Sequence, residues 1–342
     1  MTSAIRIRWL ATAAGAALAL LGPTAHAQQY PKTELRFAHF APSTTGHAQV
    51  DQWFANEVAK RSNNQVTIKY FWAGAMGKPA ELLGLVSRGA VDAAAVPASY
   101  FPAQLPLLAA PSALPMALPS PEKAQKIMYG LWNSVPALKE EARKNNVHPL
   151  LFHTLGQYHL LCTSPVKTLA DLKGKKIRSQ GEYMPKMLNA VGAVPVNVLV
   201  GEFYESLQRG NVDCMALPWD LMVAFKLQEV AKYGSTINLG ALISNPQWYN
   251  EGKWEKLPQN VRDLLTKVAD EAKAVDLAKA HELEAAAVDT LKKAGVEIIP
   301  FPDQAKFEAT VPDFLAEWTT AMEKNGKGAE AKAIATKWRE LK

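Results

Sequence analysis

Apolar and polar positions alternate with a period of two in Leu35-Arg36-Phe37-Ala38-His39-Phe40 and again in Val66-Thr67-Ile68-Lys69-Tyr70. Each segment therefore reads as a half-buried strand. Between them the period lengthens: Val50, Trp53, Phe54 and Val58 recur at helical spacing over 48–61, and the helix they predict would cover one face of the strand pair. Strand–helix–strand order implies a parallel sheet. Further along, 176–179 and 195–198 read as short strands around a helix over 184–191. Trp248-Tyr249-Asn250 lies near another strand, and 296–299 returns as one more. Pro258-Gln259-Asn260 opens the longest helical pattern, which runs to Ala294 ahead of Gly295. About 36 residues at 1.5 Å each extend about 54 Å, enough to brace two lobes. Amphipathic helices finish the chain. Segment 97–121 holds ten Pro and Ser among 25 residues and reads as irregular loop.

The pattern also repeats itself. Residues 88–97 are RGAVDAAAVP and residues 209–218 are RGNVDCMALP. In each copy Arg-Gly ends an amphipathic helix (81–88 and 202–209), and the Gly suits the left-handed position past a helix end. An apolar strand then starts at Val-Asp and stops at Pro. Asp92 and Asp213, which begin the echoed strands, read as binding backbone. Two similar α/β lobes enclosing a cleft follow from this echo.

Composition narrows the class. The chain has 342 residues, 48% hydrophobic and 20% charged, which excludes a disordered or collagen-like chain and suggests two domains. The net charge of +6 is spread without a basic run of five, so nucleic acid is not an expected partner. Residues 1–27 carry Arg6 and Arg8, an uncharged Ala/Leu-rich stretch over 9–21, and Ala25-His26-Ala27. These are the parts of a cleaved secretory signal, and in a bacterium they imply the periplasm. The apolar stretch is shorter than the ~20 residues a spanning helix needs. Cys162 and Cys214 are the only cysteines. They read as plain buried thiols, with a single bridge as the alternative; neither has the Cys-x-x-Cys neighbour of a zinc site.

Catalytic signatures are missing. There is no Gly-x-Ser-x-Gly, no His-Glu-x-x-His and no dinucleotide fingerprint, and Gly74-Ala75-Met76-Gly77-Lys78 has the wrong spacing for a phosphate loop. His153 and His159 flank Gly156 and read as unrelated histidines, a metal pair being the alternative. No catalytic residue, metal or cofactor is assigned. What remains are groups that could grip. Arg178 stands where a strand gives way to a loop, the place where open α/β sheets bind ligands, and its guanidinium could take a carboxylate by two parallel bonds; a solvated surface arginine is the other reading. Trp72 and Trp219 stand just past strand ends in the two halves and could close on a ligand. Phe40, Tyr100, Tyr183 and Trp248 stand near other strand or loop ends. Core filling is the competing reading for all six.

The segments LRFAHFAPSTTGH, FWAGAMGKPAELLGLVSRGAVDAA, TLADLKGKKIRSQG, VPVNVLVGEFYESLQRGNVDCMALPWD and WEKLPQNVRDLLTKVADEA, in this order and spacing, resemble the DctP-like solute receptors of tripartite ATP-independent periplasmic (TRAP) transporters. The resemblance implies an α/β periplasmic binding protein fold of two lobes with a hinge and a long helix spanning both. It places 33–153 and 241–283 in lobe I, and 154–240 and 284–342 in lobe II. It implies that Arg178 holds a ligand carboxylate and that the partners are a small organic acid and the transporter's membrane subunits. Leu217 stands where many relatives carry Asn. That departure argues against sialic acid and C4-dicarboxylates and for an aromatic or branched monocarboxylate or a 2-oxo acid. A ligand receptor for a sensor kinase and an exported enzyme acting on a small acid are the alternative functions.

Overall fold

Eleven strands form two sheets in the computed structural model, which describes residues 30–342; the export signal read over 1–27 lies outside the described residues. The first sheet takes β1 (Thr33–His39), β2 (Val66–Phe71), β3 (Ala93–Ala95) and β4 (Val147–Gln157). The second takes β5 (His159–Cys162), β6 (Lys176–Ser179), β7 (Val194–Asn197), β8 (Cys214–Leu217) and β9 (Tyr233–Ser235). Then β10 (Ala241–Asn250) returns to the first sheet and β11 (Glu297–Ile299) to the second. The orders are β2-β1-β3-β10-β4 and β11-β9-β5-β8-β6-β7. Seven helices matter here: α1 (Gly46–Arg61), α2 (Leu82–Ser87), α3 (Pro121–Ser134), α4 (Phe203–Gln208), α5 (Trp219–Ala224), α6 (Gln259–Lys293) and α7 (Gly328–Leu341).

The parallel pairing expected from the strand–helix–strand order is present. β1 runs parallel to β2, from Thr33 opposite Val66 to Ala38 opposite Phe71. α1 connects them and buries Val50, Phe54 and Val58. The internal echo is structural as well. Gly89 and Gly210 adopt φ of +73° and +70° after α2 and α4, a conformation that costs glycine little. Past them, Asp92 accepts a hydrogen bond from the Arg36 amide and Asp213 one from the Lys176 amide, both at 2.8 Å. Each aspartate amide in turn donates to the same partner's carbonyl. The two carboxylates thus clamp β3 to β1 and β8 to β6 at equivalent points.

Three connections join the sheets. The chain leaves the first sheet through Tyr158 and returns through 236–240, and these crossings bond to each other: the Tyr158 amide donates to Gly240 at 2.8 Å and the Leu239 amide to Tyr158 at 2.9 Å. The third is α6, whose 35 residues extend about 52 Å. Its first half packs Val261, Leu265 and Val268 against the α1 side of the first sheet, while Ala287 and Leu291 join the larger core shared with the second. α7, within the 284–342 segment read with lobe II, packs against α3, and its Trp338 indole donates to the Ala117 carbonyl in the loop ahead of α3 at 3.2 Å.

The cysteine reading is corrected. Cys162 and Cys214 form a disulfide, with Cα atoms 4.1 Å apart. Fifty-two residues separate them in sequence, but the antiparallel register of β5 on β8 sets them directly opposite each other. Segment 97–121, read as irregular, contains a short 3-10 turn over Ala98–Tyr100 and one helical turn over Ala110–Ala113.

Candidate functional site

A small cavity of about 40 Å³ lies where the two sheets face each other beside the crossing strands. Leu155 of β4, Ile243 and Ser244 of β10, and Tyr158 at the crossing line it. The first sheet's side contributes Phe40, His47, Ser99 and Tyr100; the second contributes Arg178, Gln180, Phe203, Leu217, Leu221 and Phe225. The lining is mainly apolar, with a few polar groups, which is the usual make-up of a small-molecule site.

Arg178 sits near the carboxyl end of β6, parallel to β7 and β8, and is 1% exposed. Its Nε donates to the Val198 carbonyl at 3.2 Å, Nη1 to Ala216 at 3.5 Å and Nη2 to Gln180 Oε1 at 2.6 Å. The guanidinium lies 4.8 Å over the Phe203 ring. These bonds leave one N–H on each terminal nitrogen, the pair that matches a carboxylate. Among the described residues no acidic side chain pairs with Arg178. A buried charge without a counter-ion is costly, so the site is electrostatically prepared for an anion. Burial pushes the neighbouring Tyr158 hydroxyl up to about 12, so Tyr158 keeps its proton.

Phe40 and Tyr100, read from the sequence, line this cavity with Arg178. The other four are placed elsewhere. Trp72 stacks on Tyr70 at 4.5 Å. Trp219 stacks on His159 at 4.6 Å at the start of α5. Tyr183 meets Phe314 edge-on. Trp248 is fully buried and donates from its indole to the Val96 carbonyl at 2.9 Å. Position past a strand end does not fix which way a side chain turns, and these four turn into packing. His47, Tyr158, Gln180 and Phe203 were missed. Gln180 carried a readable signal, because it lies two residues past Arg178 and so shares its direction along an extended segment.

Behind His47 lies a buried polar cluster. Asp51 of α1 stands 3.2 Å from His39 Nε2 and 3.0 Å from His153 Nε2, while His153 Nδ1 meets Asp276 of α6 at 2.6 Å. Asp276 also accepts from the Thr154 amide at 2.7 Å. Burial opposes charge on His153, but the flanking carboxylates outweigh it and push His153 up to about 10. Burial likewise opposes charge on Asp51, yet His153 and His39 hold it well below the usual carboxylate range. His153 thus spends both ring nitrogens on aspartates, and His159 donates from Nδ1 to the Ile237 carbonyl at 2.9 Å. Among the described residues no group of three or more His, Cys, Asp or Glu is arranged to hold a metal ion.

The sequence model of "Bacterial extracellular solute-binding protein, family 7" (DctP) matches residues 37–321. The chain belongs to this family. The C4-dicarboxylate-binding periplasmic protein DctP of Rhodobacter capsulatus is 27% identical over 266 residues, 76% of this chain and 78% of that protein. A TRAP periplasmic solute binding protein from Desulfovibrio salexigens, solved with bound orotic acid, superposes with a TM-score of 0.80 at 24% identity, over 91% of this chain and all of that one. A marine metagenome TRAP solute binding protein specific for aromatic acid ligands, solved with metahydroxyphenylacetate, gives a TM-score of 0.80 at 22% identity, over 90% of this chain and 98% of that one. The two-lobed fold of TRAP receptors is therefore the fold of this DctP-family chain.

Proposed function

We propose that this DctP-family receptor binds an organic monocarboxylate between its two sheets, in the periplasm, and presents it to the membrane subunits of a TRAP transporter. The observation that carries the reading is Arg178: a fully buried guanidinium, without an acidic partner among the described residues, in the wall of an apolar cavity. A ligand carboxylate supplies the missing counter-ion. Charge-assisted bonds in such surroundings are worth on the order of 1.5–3 kcal/mol each, and excluding water strengthens them.

The lining also supports the choice of acid. Arg178 is the only Arg or Lys among the cavity's described lining residues, so a second ligand carboxylate would have no cation to meet. That argues against the C4-dicarboxylates named for the Rhodobacter capsulatus relative. Leu217, with Phe203, Leu221 and Phe225, offers an apolar wall for a ring or a branched chain, and an aromatic or branched monocarboxylate or a 2-oxo acid fits it. Orotic acid and metahydroxyphenylacetate, bound by the two solved relatives, are both ring acids. Among the described residues no helix is long and apolar enough to cross a membrane.

Calorimetric titration with acids selected by a thermal-shift screen tests the reading. Arg178→Ala should weaken binding about a hundredfold or more, roughly 3 kcal/mol, with the fold intact by circular dichroism. Arg178→Lys should also bind poorly, because an ammonium cannot reproduce the paired bonds. Unchanged affinity in Arg178→Ala overturns the proposal.

A further inference from the structure

The first-sheet end of the cavity holds two polar atoms that the protein leaves without partners. His47 and Ser99 both line it and are only 6% and 4% exposed, yet His47 Nδ1 and Ser99 Oγ have no hydrogen-bond partner among the described residues. Buried polar groups are almost always paired, so a vacancy of this kind at a cavity wall points to something the cavity receives.

The chemistry of that vacancy can be read from the neighbours of His47. Thr45 donates its single hydroxyl proton to the Pro42 carbonyl at 3.0 Å. Toward His47 Nε2, 3.3 Å away, that oxygen can only accept. Nε2 therefore carries the ring proton, and Nδ1 is a bare lone pair. The ring cannot readily turn to change this, because it stacks on Phe40 at 5.5 Å and on His39 at 5.6 Å, nearly parallel to both. Nor does it gain a second proton. Burial disfavours the cation, His39 and His153 beside it add to that, and Asp51 opposes it less, so His47 is held well below the usual imidazole range. The ring thus presents a fixed acceptor, and the Ser99 hydroxyl beside the same cavity can donate or accept.

We propose that the ligand carries, besides its carboxylate, a hydroxyl or N–H group that donates to His47 Nδ1. This rests on the reading of Arg178 as the carboxylate holder. It deepens that reading, since one molecule would then tie the second sheet, through Arg178, to the first, through His47. An acid lacking the donor would fill the apolar wall but leave His47 unpaired. Sites built to hydrogen-bond a substrate group discriminate strongly against analogues without it. The selected class is a hydroxylated or N–H-bearing aromatic or branched monocarboxylate, rather than the plain hydrocarbon acid.

Matched acids test this by calorimetry on the wild-type protein, His47→Phe and Arg178→Ala. The probes are phenylacetate with its 3-hydroxy, 4-hydroxy and 3-methoxy derivatives, benzoate with 3-hydroxybenzoate, and isovalerate with 3-hydroxyisovalerate. In at least one pair the hydroxylated acid should bind wild type tenfold or more tightly than its parent, and the methoxy derivative, which cannot donate, should show no such gain. His47→Phe keeps the stacked ring and should reduce the gain to within about twofold while still binding the parent acid, which also shows that the variant is folded. Equal affinity across every pair in the wild type overturns the inference, and so does a preference that survives in His47→Phe. If no acid binds, or binding ignores Arg178→Ala, it is the carboxylate reading that has failed. If Arg178-dependent binding remains but hydroxylation makes no difference, only the present inference has failed.

Discussion

Replacing Glu284 by Gln should stabilise the protein in mildly alkaline solution and leave it nearly unchanged in acid. Glu284 lies on α6, the helix that joins the two halves, and its carboxyl faces the start of α5, where the backbone of Trp219 and Asp220 favours its charged form but is outweighed by burial. The packing is close: a Cβ on Gly156 would come within 2.9 Å of Glu284 Oε2. His159 Nε2 is 3.6 Å away, but burial lowers that imidazole to about 4, so it supplies no charge near neutrality. Burial, reinforced by Asp220, therefore pushes Glu284 from 4.5 up to about 8. The folded protein then holds a proton that the unfolded chain releases above pH 4.5. Stability falls as pH rises between about 4.5 and 8, and the loss is complete above 8. At 1.36 kcal/mol per pH unit the full effect is about 5 kcal/mol, worth on the order of 10 °C in melting temperature for a chain of this size. The assay is calorimetric melting of wild type and Glu284→Gln at pH 5, 7 and 8.5. Because His153 at about 10 adds a decline of the same sign above 6.5, the difference between the two proteins at each pH is the quantity to read. It should grow from near zero at pH 5 to several degrees in favour of the variant at pH 8.5. A difference that is flat across this range, or that shrinks as pH rises, refutes the assignment of Glu284 as a buried neutral carboxyl.

Two further predictions concern the scaffold. Reducing the Cys162–Cys214 bridge, or replacing both cysteines by Ser, removes a cross-link across 52 residues and should cost about 4 kcal/mol, read as a lower denaturant midpoint that appears only with reductant in the wild type. Asp276→Asn removes one of the two carboxylates flanking His153; it should lower the imidazole from about 10, seen by NMR titration, and cost about 3–5 kcal/mol, as breaking a buried ion pair does.

The scaffold was legible wherever one face of an element meets water. β1, β2, α1 and α6 all keep an exposed side, so their apolar positions recur with the period of the element. The Arg-Gly echo was legible for a different reason: it repeats a backbone need, a positive φ followed by a carboxylate clamp, at Gly89–Asp92 and Gly210–Asp213. β10 shows the opposite case. All ten of its residues are buried, among them Ser244, Asn245, Gln247 and Asn250. Burial on both faces erases the alternation, and the polar residues mimic a loop. Pro246, which cannot donate to a ladder, sits where the pairing with β4 shifts register. The bridge was hidden because sequence separation says nothing about register. Within the site, Arg178 drew attention because it stands where the Lys176–Ser179 strand gives way to a loop, whereas His47 and Asp51, one turn apart on α1, looked like any polar face of a helix.

The arrangement of buried charge gives the cavity a direction. Arg178 sits at the second-sheet wall with no counter-ion among the described residues. At the opposite wall, the His47 ring stands 6.0 Å from that of His153, and behind it Asp51 and Asp276 flank His153. Such a cluster is seldom worth more to stability than well-packed apolar residues would be, and it links α1, β4 and α6 just behind the ligand cavity. An anion entering the cavity meets attraction at the Arg178 end and a neutral imidazole at the other. In a low-dielectric space that difference is felt strongly. In the proposed complex the carboxylate meets Arg178, and the donor end of the same molecule faces His47, whose lone pair is kept unprotonated first by burial and then by His39 and His153 beside it.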